Sequence, residues 1–548
     1  MKEINTERIL REYVQAFNRT DEENVVQAVP NAAAADWLLA RAPRIAVPDA
    51  EIQRTYYFRW WVYRKHVKRT PEGFVLTEFH PDVSWAGKYN TIPCAAAHHV
   101  REGRWLRESG FLDDYIRFWY ADGGVHLHDY SNALEAAVEG LALLRGDETG
   151  LDLLPAMQES YARWKRERQG ALGLYWSTDN RDGSEFSISG PGLRPTLNCY
   201  QYAGARAIAA LARRKGDAAL SQQMEQEAAA LRAQINQRLW DEELRFYVTL
   251  PQKAPDTAPY FSADRHAREL FGYLPWMFGA AQPGRADAFA QLTDPLGFSG
   301  KYGPTTAERR HPGFGIFYTG AELNEWLQRR GEKPCGPEGH ECLWNGPSWP
   351  FATSMMLTAL ANLLVSGEEQ AFIGKADYLA LLRQYAAAHV RRREDGTVIP
   401  WIDEDLNPDT GDWISRTRLM HWGGQRFPAE KGGYERGKDY NHSTFCDLVL
   451  EGLFGVRPGW DALRIAPLFP EAWDYAVLEG VETHGKSLSI RYRRGEGYQV
   501  LLDGKAAFSA PVPTPCTLPV IRGCEKTKIN YLRGNRSLER SPRILFIS

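Results

Sequence analysis

Apolar residues recur at three- and four-residue spacing along most of this chain, and the pattern breaks near residue 460. Segments 127–147, 152–168, 196–215, 219–240, 267–278, 348–364, 366–390 and 443–455 carry it most clearly, with further elements at 54–66, 92–105, 111–121 and 319–330. Such spacing puts one apolar stripe on each helix, which must be buried against a neighbour. About a dozen helices paired in sequence predict a mainly α fold, an (α/α)6 toroid whose inner-helix ends and connecting loops converge on one deep pocket. A solenoid would use similar helices, but no fixed-period repeat runs through the sequence. Beyond PGWDALRIAPLFPEAWDY the pattern becomes short alternating runs, LSIRYRR and YQVLLDG, separated by Gly, as expected for a small β-sandwich-like domain. The expected organisation is an N-terminal extension over 1–28, a catalytic toroid over 29–458, a β-domain over 459–524 and a tail over 525–548.

With 66 Lys and Arg against 69 Asp and Glu, the formal net charge is -3, so no global field draws in nucleic acid or an anionic membrane. Seven cysteines are too few and too odd in number to frame so long a chain with disulfides, and free thiols are expected. No apolar run is long enough to cross a bilayer, and the charged start MKEINTERILREYVQAFNRTDEEN does not read as a secretory signal. The expectation is a soluble, cytoplasmic protein. Neither GxGxxG before a helix nor GxxxxGK[ST] is present, and the His98–His99 pair and the Cys335, His340, Cys342 group lack convincing zinc spacing. Neither a cofactor nor a metal is expected.

Two acidic segments set in aromatic-rich sequence carry the chemistry. In YWSTDNRDGSEFSISG, Glu185 follows a glycine turn and lies close to aromatic residues. A carboxyl group in a partly dehydrated sugar pocket has its pKa raised and can hold a proton for a leaving oxygen at neutral pH. Asp182, before Gly183, is a candidate sugar contact, although ordinary turn chemistry explains it as well. In WIDEDLNPDTGDW, Glu404 is placed to polarise water on the opposite face, while Asp403 and Asp405 are candidates to organise the loop. One acid and one carboxylate are the minimum set for glycosidic cleavage. Further candidates for sugar contact are Trp344, Asn345 and Trp349 in ECLWNGPSWPFATS, Arg59 and Trp85 in the first aromatic cluster, and Asn441 and His442 in GKDYNHSTF. Packing, helix capping and buried, satisfied polar groups are the structural alternatives for all of them.

These motifs resemble those of clan G glycoside hydrolases, the (α/α)6 group that includes family 63 glucosidases, mannosylglycerate hydrolases and family 37 trehalases, over about residues 30–500. The resemblance places the general acid of a G-x-D-x-S element on Glu185 in GSEFS, with Glu standing where the pattern has Asp, and the general base on Glu404 in EDLNPDTG. It implies an inverting, exo-acting hydrolase acting on an oligosaccharide or small glycoside. Relatives with this layout also look similar to β-L-arabinofuranosidases. A glycoside phosphorylase and a non-catalytic carbohydrate-binding protein are the alternatives.

Overall fold

The computed structural model describes residues 4–519 apart from 125, 253–259, 262–263, 337 and 369–370. The expected tail over 525–548 and Cys524 lie outside the described residues. Among those described, the α-helices are α1 (Thr6–Asn18), α2 (Ala34–Arg41), α3 (Ala50–Lys65), α4 (Pro93–Gly103), α5 (Gly110–Tyr120), α6 (Leu134–Arg145), α7 (Leu154–Arg168) and α8 (Pro195–Lys215). They continue as α9 (Ala218–Gln234), α10 (Leu274–Met277), α11 (Gly320–Arg329), α12 (Pro350–Val365), α13 (Lys375–Ala387), α14 (Ile414–Met420) and α15 (Phe445–Asp447).

The helix starts follow local chemistry. Asp49 caps α3 by accepting from the Ile52 amide, Asp217 caps α9 through Leu220, and Thr319 with Glu322 forms a capping box on α11. Proline opens α4, α8 and α12, where a missing N–H costs nothing. Helix α12 is apolar on every side, the mark of a helix enclosed by others.

Packing closes a ring. Helix α4 lies on α6, α6 on α8, α8 on α10 and α10 on α12, and the segment from α15 through Leu453 returns from α12 to α4. Helices α7 and α9 back α8, and α13 bridges α12 and α3. This is the expected mainly α toroid. All twelve expected helical segments contain helix, but 267–278 holds only a short 3-10 turn and the four-residue α10, and the last segment ends in a π-helical turn. Helices α1, α2 and α14 were not expected. Leu10, Val14 and Phe17 of α1 are buried against α3, so these residues belong to the core.

The alternating runs form two antiparallel sheets. One orders Arg44–Ala46, Tyr475–Thr483, Lys486–Arg493, Gly497–Leu502 and Lys505–Ala510, so its edge strand comes from the N-terminal part of the chain. The other joins Val456–Pro458, Ala462–Ile465 and Cys516–Pro519. Two hairpins turn at His484–Gly485 and Asp503–Gly504, all four residues at positive φ, which matches the right-handed twist of the flanking strands. No described helix is long and apolar enough to cross a membrane.

Candidate active site

Two loops from distant parts of the chain meet over a cavity of about 350 Å³ whose wall includes Glu185 and Glu404. The first loop precedes α8. Gly183 takes φ 62, and a Cβ there would sit 2.7 Å from Cys94 Sγ, so only glycine lets this turn approach α4. Phe186 is also left-handed at φ 64. That conformation sends its ring into a small second core, 5.3 Å from Phe261 and 5.6 Å from the His340 ring, while Glu185 keeps its carboxyl on the cavity side. The Glu185 carbonyl accepts from the Trp344 amide at 3.1 Å, which ties Glu185 to the ECLWNGPSWPFATS segment.

The second loop runs from the strand Val398–Pro400 to α14. Asp403 accepts from the Glu404 amide at 2.9 Å, the Ser415 hydroxyl at 3.1 Å and the Trp401 indole at 3.2 Å. Asp405 is held by Arg418 at 3.0 Å. The flanking aspartates therefore shape the loop, and Glu404 is left to face inward. Arg436 grips Glu404 with two bonds, Nε to Oε2 at 3.0 Å and Nη2 to Oε1 at 3.2 Å, and its third nitrogen pairs with Glu341. Its guanidinium lies 4.5 Å from the centre of the Trp85 ring.

The electrostatic settings of the two glutamates differ. Burial pushes the Glu185 carboxyl up to about 8, and Asp179, Glu404 and Glu78 add to the rise. No cation opposes it among the dominant influences. Burial also raises Glu404, but Arg436 pulls against it through charge and hydrogen bonding. A neighbouring guanidinium favours the ionised carboxylate, so Glu185 is the member suited to hold a proton and Glu404 the member suited to stay charged.

Of the expected sugar contacts, Trp85, Trp349 and His442 line the cavity. His442 Nδ1 lies 2.8 Å from Glu78 Oε1 and 2.9 Å from the Tyr440 hydroxyl. The other five sit behind the wall. Arg59 is fully buried and gives Nη1 to the Tyr440 carbonyl at 3.1 Å. Asp182 accepts from Arg194 Nε at 2.6 Å, Ser131 at 2.6 Å, Ser177 at 2.8 Å and Thr196, which leaves its oxygens committed to the loop. Trp344 is stacked between Trp349 at 4.4 Å and Phe271 at 5.2 Å. Asn345 donates to the Gly313 carbonyl, and Asn441 to the Thr77 carbonyl. These residues build the wall from outside and do not present polar atoms to the cavity.

Sequence reasoning missed Arg436, Glu78, Glu341 and Tyr130, all on the wall. Arg436 immediately precedes the GKDYNHSTF motif, but a single Arg between Glu435 and Gly437 carries no local signal of its partner. No group of three or more His, Cys, Asp or Glu among the described residues is arranged to hold a metal ion.

Residues 88–443 match the family described as mannosylglycerate hydrolase MGH1-like glycoside hydrolase domain. A solved structure titled sialidase is 32% identical with TM-score 0.81, covering 95% of this chain; this chain spans only 45% of that one. A GH63 mannosylglycerate hydrolase from Thermus thermophilus, solved with glucose, is 12% identical with TM-score 0.46, covering 72% of this chain and 98% of its own. A GH78 rhamnosidase of Bacillus sp. GL1 is 14% identical with TM-score 0.46, covering 84% of this chain and 41% of its own. No curated protein matches the chain. Because the family match runs through most of the toroid and takes in both acidic loops, the chain belongs to the MGH1-like glycoside hydrolases.

Proposed function

We propose that this protein is an inverting, exo-acting glycoside hydrolase that releases a terminal sugar from an oligosaccharide or small glycoside. The observation that carries the reading is the placement of Glu185 and Glu404 on one cavity wall, only the second of them paired with a guanidinium. Protonated Glu185 gives its proton to the departing glycosidic oxygen, while Glu404 removes a proton from the water that attacks the anomeric carbon from the opposite face. The cycle leaves Glu185 ionised and Glu404 protonated, and exchange with solvent restores both. A cavity of about 350 Å³ lies at the small end of ligand sites, which suits one terminal sugar. Trp85 and Trp349 offer apolar faces for the ring, and His442 with Glu78 offers polar contacts for hydroxyls.

The charge of the wall supports a neutral sugar. Glu78, Glu341 and Glu404 line the cavity, and Arg436 is already held by the last two of them. The same crowding weighs against an acidic sugar and against a phosphate nucleophile in a phosphorylase.

The test is hydrolysis of aryl α- and β-glycosides and plant oligosaccharides, with the anomer of the first-released product followed by NMR. Glu404→Gln should abolish release with any leaving group. Glu185→Gln should lose about 10²- to 10⁴-fold on glycosides with a sugar or alkyl leaving group. It should lose far less on a nitrophenyl glycoside, whose leaving group needs no proton. Retained anomeric configuration, dependence on added phosphate, or normal turnover by Glu404→Gln would each overturn the assignment.

A further inference from the structure

The helices of the ring line a second cavity, of about 370 Å³, along α4, α6 and α8. Cys94, at the start of α4, lines both cavities. His98, Arg101 and Arg104 follow at successive turns along the second one, and a rise of about 1.5 Å per residue carries Arg104 roughly 15 Å from Cys94. The strand Val456–Pro458 contributes Arg457 at the far side, and the exposed Arg206 of α8 marks the mouth.

Four arginines face this space. Arg101 and Arg104 share Asp447 and Glu451, with Arg101 Nε 2.7 Å from Asp447 and Arg104 Nη2 2.6 Å from it, so these four charges balance. Arg457 donates Nη1 to Asn362 at 2.8 Å and stands 3.6 Å from Glu451, and Arg206 makes a 3.4 Å contact with the Phe278 carbonyl. Against these two, the remaining carboxyl on the wall is Glu139, which burial raises to about 7 while Arg206 pulls it down. The space is therefore positive. The side chain of Arg104 is 8% exposed, yet its Nε has no acceptor among the described residues; nor has Arg457 Nε. Donors left this way are costly unless an acceptor reaches them.

The apolar part of the lining includes small residues, Ala97 of α4, Ala136 and Ala137 of α6 and Ala203 of α8, beside the larger Leu143, Met277 and Met355. We propose that this cavity binds a small organic anion: a carboxylate or phosphate monoester head on the guanidinium side, with a compact apolar body against the alanines. The site is separate from the catalytic one and does not rest on the hydrolase reading. Between them stands a partition in which the His98 ring lies 4.6 Å from both His442 and Phe351.

Isothermal titration of the full chain with phenyl phosphate tests this, with inorganic phosphate as the head alone and benzyl alcohol as a neutral aromatic. One phenyl phosphate per chain is expected, bound at least about tenfold more tightly than either control, since a charge-assisted hydrogen bond and apolar burial each contribute on that scale. Arg206→Gln, at the exposed mouth, should weaken binding about tenfold, and Ala136→Leu should abolish it by filling the space. Glu404→Gln should bind as the wild type does, which separates this site from the catalytic cavity. No saturable binding, equal binding of the neutral compound, or binding unchanged by Arg206→Gln would overturn the proposal. Should Ala136→Leu fail to fold, the Arg206→Gln result decides.

Discussion

At the scale of single residues, the site depends on what surrounds two glutamates more than on the glutamates themselves. Arg436 lowers Glu404 against the effect of burial, so, with Glu404 as the proposed base, Arg436→Gln should raise its pKa and move the acid limb of the kcat/KM profile to higher pH. A pH series on an aryl glycoside checks this; an unmoved limb would separate Arg436 from catalysis. Glu185 carries the opposite signature. Its folded value, about 8, lies above its ordinary value of 4.5. A carboxyl raised on folding contributes stability that is complete below its unfolded pKa and is lost as pH rises through the folded one. Glu185→Gln should therefore be more stable than the wild type at pH 8 and above, with the gap narrowing toward pH 4.5, as read by urea denaturation across that window. Both glutamates were legible in the sequence because acids between aromatic residues and turn-forming glycines stand out locally. Arg436 was not legible, because its partner lies on another loop.

At the scale of elements, the same polar residues that looked like sugar contacts hold the loops in place. Asp182 joins the first acidic loop to α8 through Arg194 and Thr196, and to the start of α6 through Ser131. Removing one partner of a buried ion pair costs about 3–5 kcal/mol. Asp182→Ala should accordingly lower the free energy of unfolding by that order, measured by chemical denaturation; a rise in KM at unchanged stability would return it to the role of a sugar contact. Helix existence was readable from apolar spacing, since periodicity of 3.6 is a local property. Helix ends were less readable. The segment 267–278 contains Gly272 and Pro275, which interrupt regular hydrogen bonding, and the structure places a 3-10 turn and a single α turn there. Helix α1 was readable in retrospect, because Leu10, Val14 and Phe17 fall on one face, but the charged residues between them obscured the stripe.

At the scale of the whole molecule, residues 6–65 are joined to residues 438–483. Strand Arg44–Ala46 pairs with Tyr475–Thr483, Thr6 donates to Glu479 at 2.7 Å, and Lys65 lies between Asp21 and Asp439, with Asp21 also 2.9 Å from Lys438. The N-terminal segment thus braces the loop that carries Arg436. A chain ended at residue 458 strips the partner from the Arg44–Ala46 strand and uncovers buried Ile45. It should lose its cooperative thermal transition or aggregate, as followed by calorimetry and size-exclusion chromatography; an unchanged transition would show that the toroid stands without the sheets. The sequence by itself determined the helical class, the change to strands near residue 460 and the two acidic loops, because periodicity and turn chemistry act between near neighbours. The tertiary structure alone decided that Glu185 faces the cavity while Asp182, three residues before it, is consumed by its own loop, and that Arg436 meets Glu404, because those outcomes depend on which distant segments the closed ring brings together.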